Sequence, residues 1–108
     1  MKKKNLISWE DPRWGVVHAV TDSYTQNGAL AVMLVLADGE PLTDLSKNLP
    51  GSSMLPPGHF YAKTYSENEE IAKYALKSGW FEEVGPGVES GFVRLPVWRL
   101  LDKRKEAV

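Results

Sequence analysis

The sequence predicts an α+β domain, an antiparallel β-sheet with a single α-helix packed on one face. Three observations predict it. Ser66-Glu67-Asn68-Glu69 has the spacing of a capping box, in which the residue-66 hydroxyl and the residue-69 carboxylate satisfy the first free N–H groups of a helix. Runs rich in Val, Leu, Phe and Tyr recur on both sides of that stretch, bounded by Gly, Pro, Asn and Asp. No second stretch carries helix start and stop signals, so the remaining apolar surface must be covered by strands.

The elements follow in order. Residues 1–13 read as irregular, because Pro12 cannot join a ladder. Residues 16–21 form a β-branched run and a strand. Residues 22–28 carry turn chemistry in Asp22, Ser23, Asn27 and Gly28. Residues 29–37 are apolar on both faces, with Leu30, Val32, Leu34 and Leu36 on the bulkier one, which predicts a central strand. Asp38-Gly39 is a hairpin turn, and 42–45 return as a strand. Residues 48–58 hold Pro50, Gly51, Pro56, Pro57 and Gly58 and read as a long loop. Residues 60–65 are a strand leading into a helix over 67–78. There Glu67, Glu69 and Glu70 complement the dipole at the start, and Gly79 stops the last turn. Trp80 is expected to pack back on that last turn. Residues 80–84 form a short strand, Gly85-Pro86-Gly87 a tight turn, and 91–101 a last extended segment. Pro96 should place that segment at a sheet edge or break it. Leu30, Val32, Leu34, Leu36, Phe60, Ile71, Ala75, Phe92 and Val97 are the expected core, with Trp98 in or beside it.

With 108 residues, 43% of them hydrophobic, the chain is read as one domain spanning 1–108, ending in a charged tail at 102–108. Cysteine is absent, which excludes disulfides, thiolate metal sites and cysteine nucleophiles. The longest apolar run falls far short of the roughly 20 residues that span a bilayer, so no membrane partner is expected. Met1-Lys2-Lys3-Lys4 is not followed by an apolar stretch, so the reading is cytoplasmic, in a bacterial host cell.

Net charge is −1, unevenly spread. Lys2, Lys3, Lys4, Lys103, Arg104 and Lys105 sit at the ends. Residues 5–102 hold 7 basic and 13 acidic side chains, a charge near −6. Such a body repels a phosphate backbone, so direct nucleic-acid binding by the folded part is not expected. The acids either keep the surface solvated or meet a basic partner protein.

Catalytic signals are missing. His18 lies in an apolar strand beside Val16 and Val20, His59 starts another, and no HxH or HExxH spacing links them. There is no GxSxG elbow and no GxxxxGK loop. The carboxylate pairs Glu69-Glu70 and Glu82-Glu83 are adjacent in sequence, so their side chains diverge. The expectation is therefore no catalytic residue, no metal, no cofactor and no enzyme. Trp9 and Trp14 bracket Glu10-Asp11-Pro12-Arg13. They cover one end of the core, or they form an aromatic anchor flanked by acid. Trp9, Glu10, Asp11, Trp14, Glu82, Glu83 and Glu89 are the candidate partner-binding residues. A second set, Asn48, Lys63, Asn68, Arg94 and Arg99, could line an anion pocket near the helix start.

Between Leu45 and Leu100 the chain carries Leu45-Ser46-Lys47-Asn48-Leu49-Pro50, Leu55-Pro56-Pro57-Gly58 with Phe60, Lys63, Ser66-Glu67-Asn68-Glu69, Gly79 and Gly85. It closes on Ser90-Gly91-Phe92-Val93, Pro96-Val97 and Arg99-Leu100. This string resembles a small domain family encoded on plasmids, prophages and other bacterial mobile elements, over about half the chain. Met1 to Trp14 lie outside the pattern. The resemblance implies a habitat rather than a reaction. Small proteins of such elements are often inhibitors of host defence, anti-CRISPR proteins among them. The expected function is thus a non-enzymatic phage or mobile-element protein that binds and inhibits a host macromolecule, in the first place a defence effector that itself handles nucleic acid. The alternative is a protein that binds or sequesters a small ligand such as a nucleotide messenger.

Overall fold

The computed structural model describes residues 7–49 and 54–101, so the terminal basic clusters and positions 50–53 of the long loop lie outside the described residues. The fold is α+β, with antiparallel pairing throughout and one helix. The strands divide between two four-stranded sheets rather than forming one. The first sheet has the order β1 (Ile7–Asp11), β2 (Gly15–Ser23), β3 (Leu30–Leu36), β4 (Pro41–Asp44). The second holds β5 (Ser46–Lys47), β6 (His59–Ala62), β7 (Phe81–Ser90) and β8 (Val93–Leu100), in the order β5-β6-β8-β7.

β3 is an inner strand, as its apolar faces predict. Its even residues Val32 and Leu34 are fully buried. Gly39 takes a φ of 90° in the hairpin to β4. The expected strand at 42–45 ends at Leu45, where the chain changes sheet. The Leu45 N–H donates to the Val32 carbonyl of the first sheet (2.9 Å), and its own carbonyl accepts the Lys63 N–H beyond β6 (2.7 Å). Ser46 then turns its hydroxyl back to accept the Val32 N–H at 2.9 Å. A strand that bends out of one sheet and into another makes the corner of a two-sheet fold.

The core lies between the sheets. Trp9, Val17, Val32 and Leu34 meet Phe60, Phe81 and Trp98, and the helix α1 (Glu69–Lys77) adds Ile71, Ala72 and Ala75 from one face. Phe81 touches Trp9, Phe60 and Trp98 at centroid separations of 6.0, 5.9 and 5.9 Å. Leu30 is half-buried against the core, Leu36 and Val97 are half-buried outside that cluster, and Phe92 is fully exposed at the β7–β8 turn, contrary to the expected core.

Three further local expectations are corrected. Residues 7–11 are an edge strand, because Pro12 falls one residue beyond it and Trp9 needs the inward position. Ser66 is not the cap of α1. It has a φ of 58° and begins a single 3-10 turn, Ser66–Asn68, and neither helix start has a side-chain cap. Trp80, just past the helix, packs against the core and donates its indole N–H to the Ser8 carbonyl of β1 (3.0 Å), which is an added tie and not a correction. Gly85-Pro86-Gly87 is not a turn but an irregularity inside β7, and Pro96 sits opposite it in β8, an unbroken inner strand. The proline is tolerated there because the ladder is already interrupted on the β7 side. On the β6 side the paired residues stop at Val97. A Cβ at Gly87 (φ 72°) would fall on the Leu95 carbonyl, so this close crossing requires glycine.

Candidate functional site

The residues singled out from the sequence separate into distinct places. Trp9 is in the core, on the inner face of β1. Asp11 is buried, and its Oδ1 accepts the Arg13 and Trp14 N–H groups at 2.8 and 3.2 Å, which shapes the β1–β2 turn. Trp14 is 42% exposed beside that turn, with the Arg13 guanidinium 5.2 Å from its ring centre. Glu82 and Glu89 lie towards opposite ends of β7 and pair with Arg99 (2.5 Å) and Arg94 (3.1 Å) of β8. Glu83 is exposed between them.

The second set does not form one pocket. Arg94 and Arg99 are held by those carboxylates. Lys63 donates to Glu67 at 2.7 Å. Asn68 is completely buried and engaged with the backbone on both sides of it. Asn48 alone lines a large cavity.

Strand register assembles a surface that linear reading does not show. On the outer face of the first sheet, Val20 pairs with Met33 and Met33 with Asp44. Asp22 pairs with Ala31, His18 with Val35, and Glu10 with Val16. Val20 and Met33 are 46% and 39% exposed, so two apolar side chains stand together in solvent. They form the floor of a hollow of about 240 Å³ bounded by Asp22, Asp44 and Tyr24. The four strands of this sheet carry Glu10, Asp11, Asp22 and Asp44 and not one lysine or arginine. An apolar floor between carboxylates suits the stem and head of a basic side chain, which buries methylenes and keeps its charge paired.

A larger cavity of about 520 Å³ opens at the sheet corner, between the β2–β3 loop and the chain around β5 and β6. Its walls are fastened. Asn27 Nδ2 donates to Asn48 Oδ1 (3.0 Å), Asn48 Nδ2 donates to Gln26 Oε1 (3.2 Å), and the Tyr24 and Ser46 hydroxyls are hydrogen-bonded at 2.7 Å. Neither His59 nor Lys47 is singled out for binding by the sequence. Their place on this wall depends on pairing between β5 and β6, which composition does not reveal.

Among the described residues no group of three or more His, Asp or Glu side chains is gathered closely enough to hold a metal ion, and no helix is long and apolar enough to cross a membrane. No protein-family model, curated protein or solved structure matches the chain.

Proposed function

We propose that this is a non-enzymatic binding protein that docks a basic macromolecule on the outer face of its first sheet. The supporting observation is the composition of that face, an exposed Val20–Met33 pair flanked by Asp22 and Asp44 on strands without a single lysine or arginine. A monomer's surface normally intersperses both signs of charge. Here one sign is missing from a whole sheet, and a nucleic acid would be repelled by it. An arginine of the partner would lie across Val20 and Met33 with its guanidinium at the carboxylates, the type of residue that anchors interfaces. The target suggested by this chemistry is a protein whose own surface binds nucleic acid. The resemblance to domains of mobile elements supports a host defence effector as that protein.

Capture from nuclease-treated bacterial lysate, with wild-type and Asp22→Asn/Asp44→Asn baits compared side by side, tests the reading. A basic protein should be retained by the wild type and released by moderate salt. Its affinity for the double variant should fall about tenfold or more. A partner held equally by both baits would remove this face from the function.

A further inference from the structure

The described residues include seven lysines and arginines. Lys63, Lys73, Arg94 and Arg99 are paired with carboxylates. Arg13 lies over the Trp14 ring and Lys77 over that of Tyr74. Lys47 alone among them has neither, and it lines the cavity of about 520 Å³. No aspartate or glutamate is among the described residues that line this cavity, although the body of the protein is strongly acidic. His59 stands on the same wall, and its Nδ1 lies 3.1 Å from the Pro57 carbonyl. A carbonyl only accepts, so Nδ1 carries the proton and Nε2 is left to meet another group. The remaining walls are mostly apolar, with Leu49 and Leu55 half-buried, and Met54 at the rim is 77% exposed.

The geometry points to this cavity as a binding site for a small anionic molecule with an apolar or aromatic body. The volume lies within the range of about 300–1,000 Å³ usual for ligand sites, and a mainly apolar wall with a few polar groups is their usual make-up. Lys47 supplies the charge, and the Asn27–Asn48 hydrogen bond fixes the β2–β3 loop to the chain at β5. This site is separate from the acidic sheet face, and neither depends on the other.

Anilinonaphthalenesulfonate, an aromatic anion that fluoresces in apolar surroundings, is the direct probe for the full-length native protein. It should bind saturably at one site per chain, while the acidic face repels it. Lys47→Gln should weaken it about tenfold, and Lys47→Arg should retain it. Uncharged phenylnaphthylamine should bind both the wild type and Lys47→Gln equally weakly. Lys47 is exposed, so an unchanged thermal midpoint will show that the variants are folded. Competition by naphthyl phosphate and naphthoate identifies the head group, since displacement by either supports an anion site. Displacement by neither, or equal binding of the sulfonate to wild type and Lys47→Gln, would overturn the assignment.

Discussion

The Thr43 hydroxyl donates to the Asn68 side-chain oxygen at 2.8 Å, and the same amide donates onward to the Asp44 and Lys63 carbonyls at 2.8 and 3.0 Å. One buried side chain thereby joins the last strand of the first sheet to the chain leaving β6, at the start of the helix. Every hydrogen-bonding position it uses is met, which makes a buried amide stabilising rather than costly. Asn68→Ala should orphan these partners and cost about 3 kcal/mol in urea unfolding, from roughly 1–3 kcal/mol per abandoned buried group. Asn68→Asp keeps the shape but turns a carboxylate towards two carbonyls, and it should be at least as damaging at neutral pH. A loss under about 0.5 kcal/mol for Asn68→Ala would show that the amide holds nothing together.

Apolar character and burial part company at Leu34 and Phe92. Leu34 is fully buried between the sheets, and Phe92 projects fully into solvent from the β7–β8 turn. Leu34→Ala should cost about 2–5 kcal/mol, and Phe92→Ser should lie within about 0.5 kcal/mol of the wild type. Denaturant midpoints on both variants decide this. A large loss at Phe92 would mean that a second copy or another segment covers the ring.

The parts of the fold legible in sequence are those governed by local chemistry. The β3–β4 hairpin follows from Asp38-Gly39, and the inner position of β3 follows from its two apolar faces. β1 was not legible, because five residues with one buried tryptophan resemble a loop until β2 is paired beside them. Pro96 misled for a similar reason, since a proline argues against an inner strand only where the neighbouring ladder is intact. The acidic outer face of the first sheet, proposed above as a docking surface, was hidden more deeply. Asp22 and Asp44 are 22 positions apart, and only register through β3 brings both to the Val20–Met33 pair. The adjacent acids Glu82-Glu83 are conspicuous in the sequence, but one of them is spent on Arg99.

Ser66 shows how a motif can match without forming. Its φ of 58° puts it in the left-handed region, where a β-carbon is strained, and its hydroxyl caps no helix N–H. Ser66→Gly should therefore leave stability unchanged or raise it by up to about 1 kcal/mol, with relief of strain set against the greater freedom of the unfolded chain. Ser66→Val should destabilise, because a β-branched residue tolerates positive φ poorly. Thermal or urea unfolding in which the glycine variant loses more than the valine variant would contradict this backbone assignment.

The Lys63–Glu67 pair sets a pH signature at the same turn. The Lys63 ammonium, bonded at 2.7 Å, is the main reason why the Glu67 carboxyl is lowered from its ordinary 4.5 to about 2, helped by the Glu67 N–H and the Ser66 hydroxyl. The same hydrogen bond raises Lys63 above its ordinary 10.5. A lowered carboxylate contributes stability above its unfolded pKa and loses it as pH falls through the folded one. A raised ammonium contributes below its unfolded pKa and loses it as pH rises past the folded one. The pair is thus fully effective between about 4.5 and 10.5, and its acid limb fades from 4.5 down to about 2. Because the carboxylate is exposed, screening keeps the effect on stability small, and the carboxyl itself is the better reporter. Carbon NMR titration should place the Glu67 midpoint near 2 at low salt. Lys63→Met should move it up towards the ordinary range, though not fully, since the hydroxyl and N–H remain. A wild-type midpoint already at the ordinary value, unmoved by Lys63→Met, would show that the two side chains do not hold each other in solution.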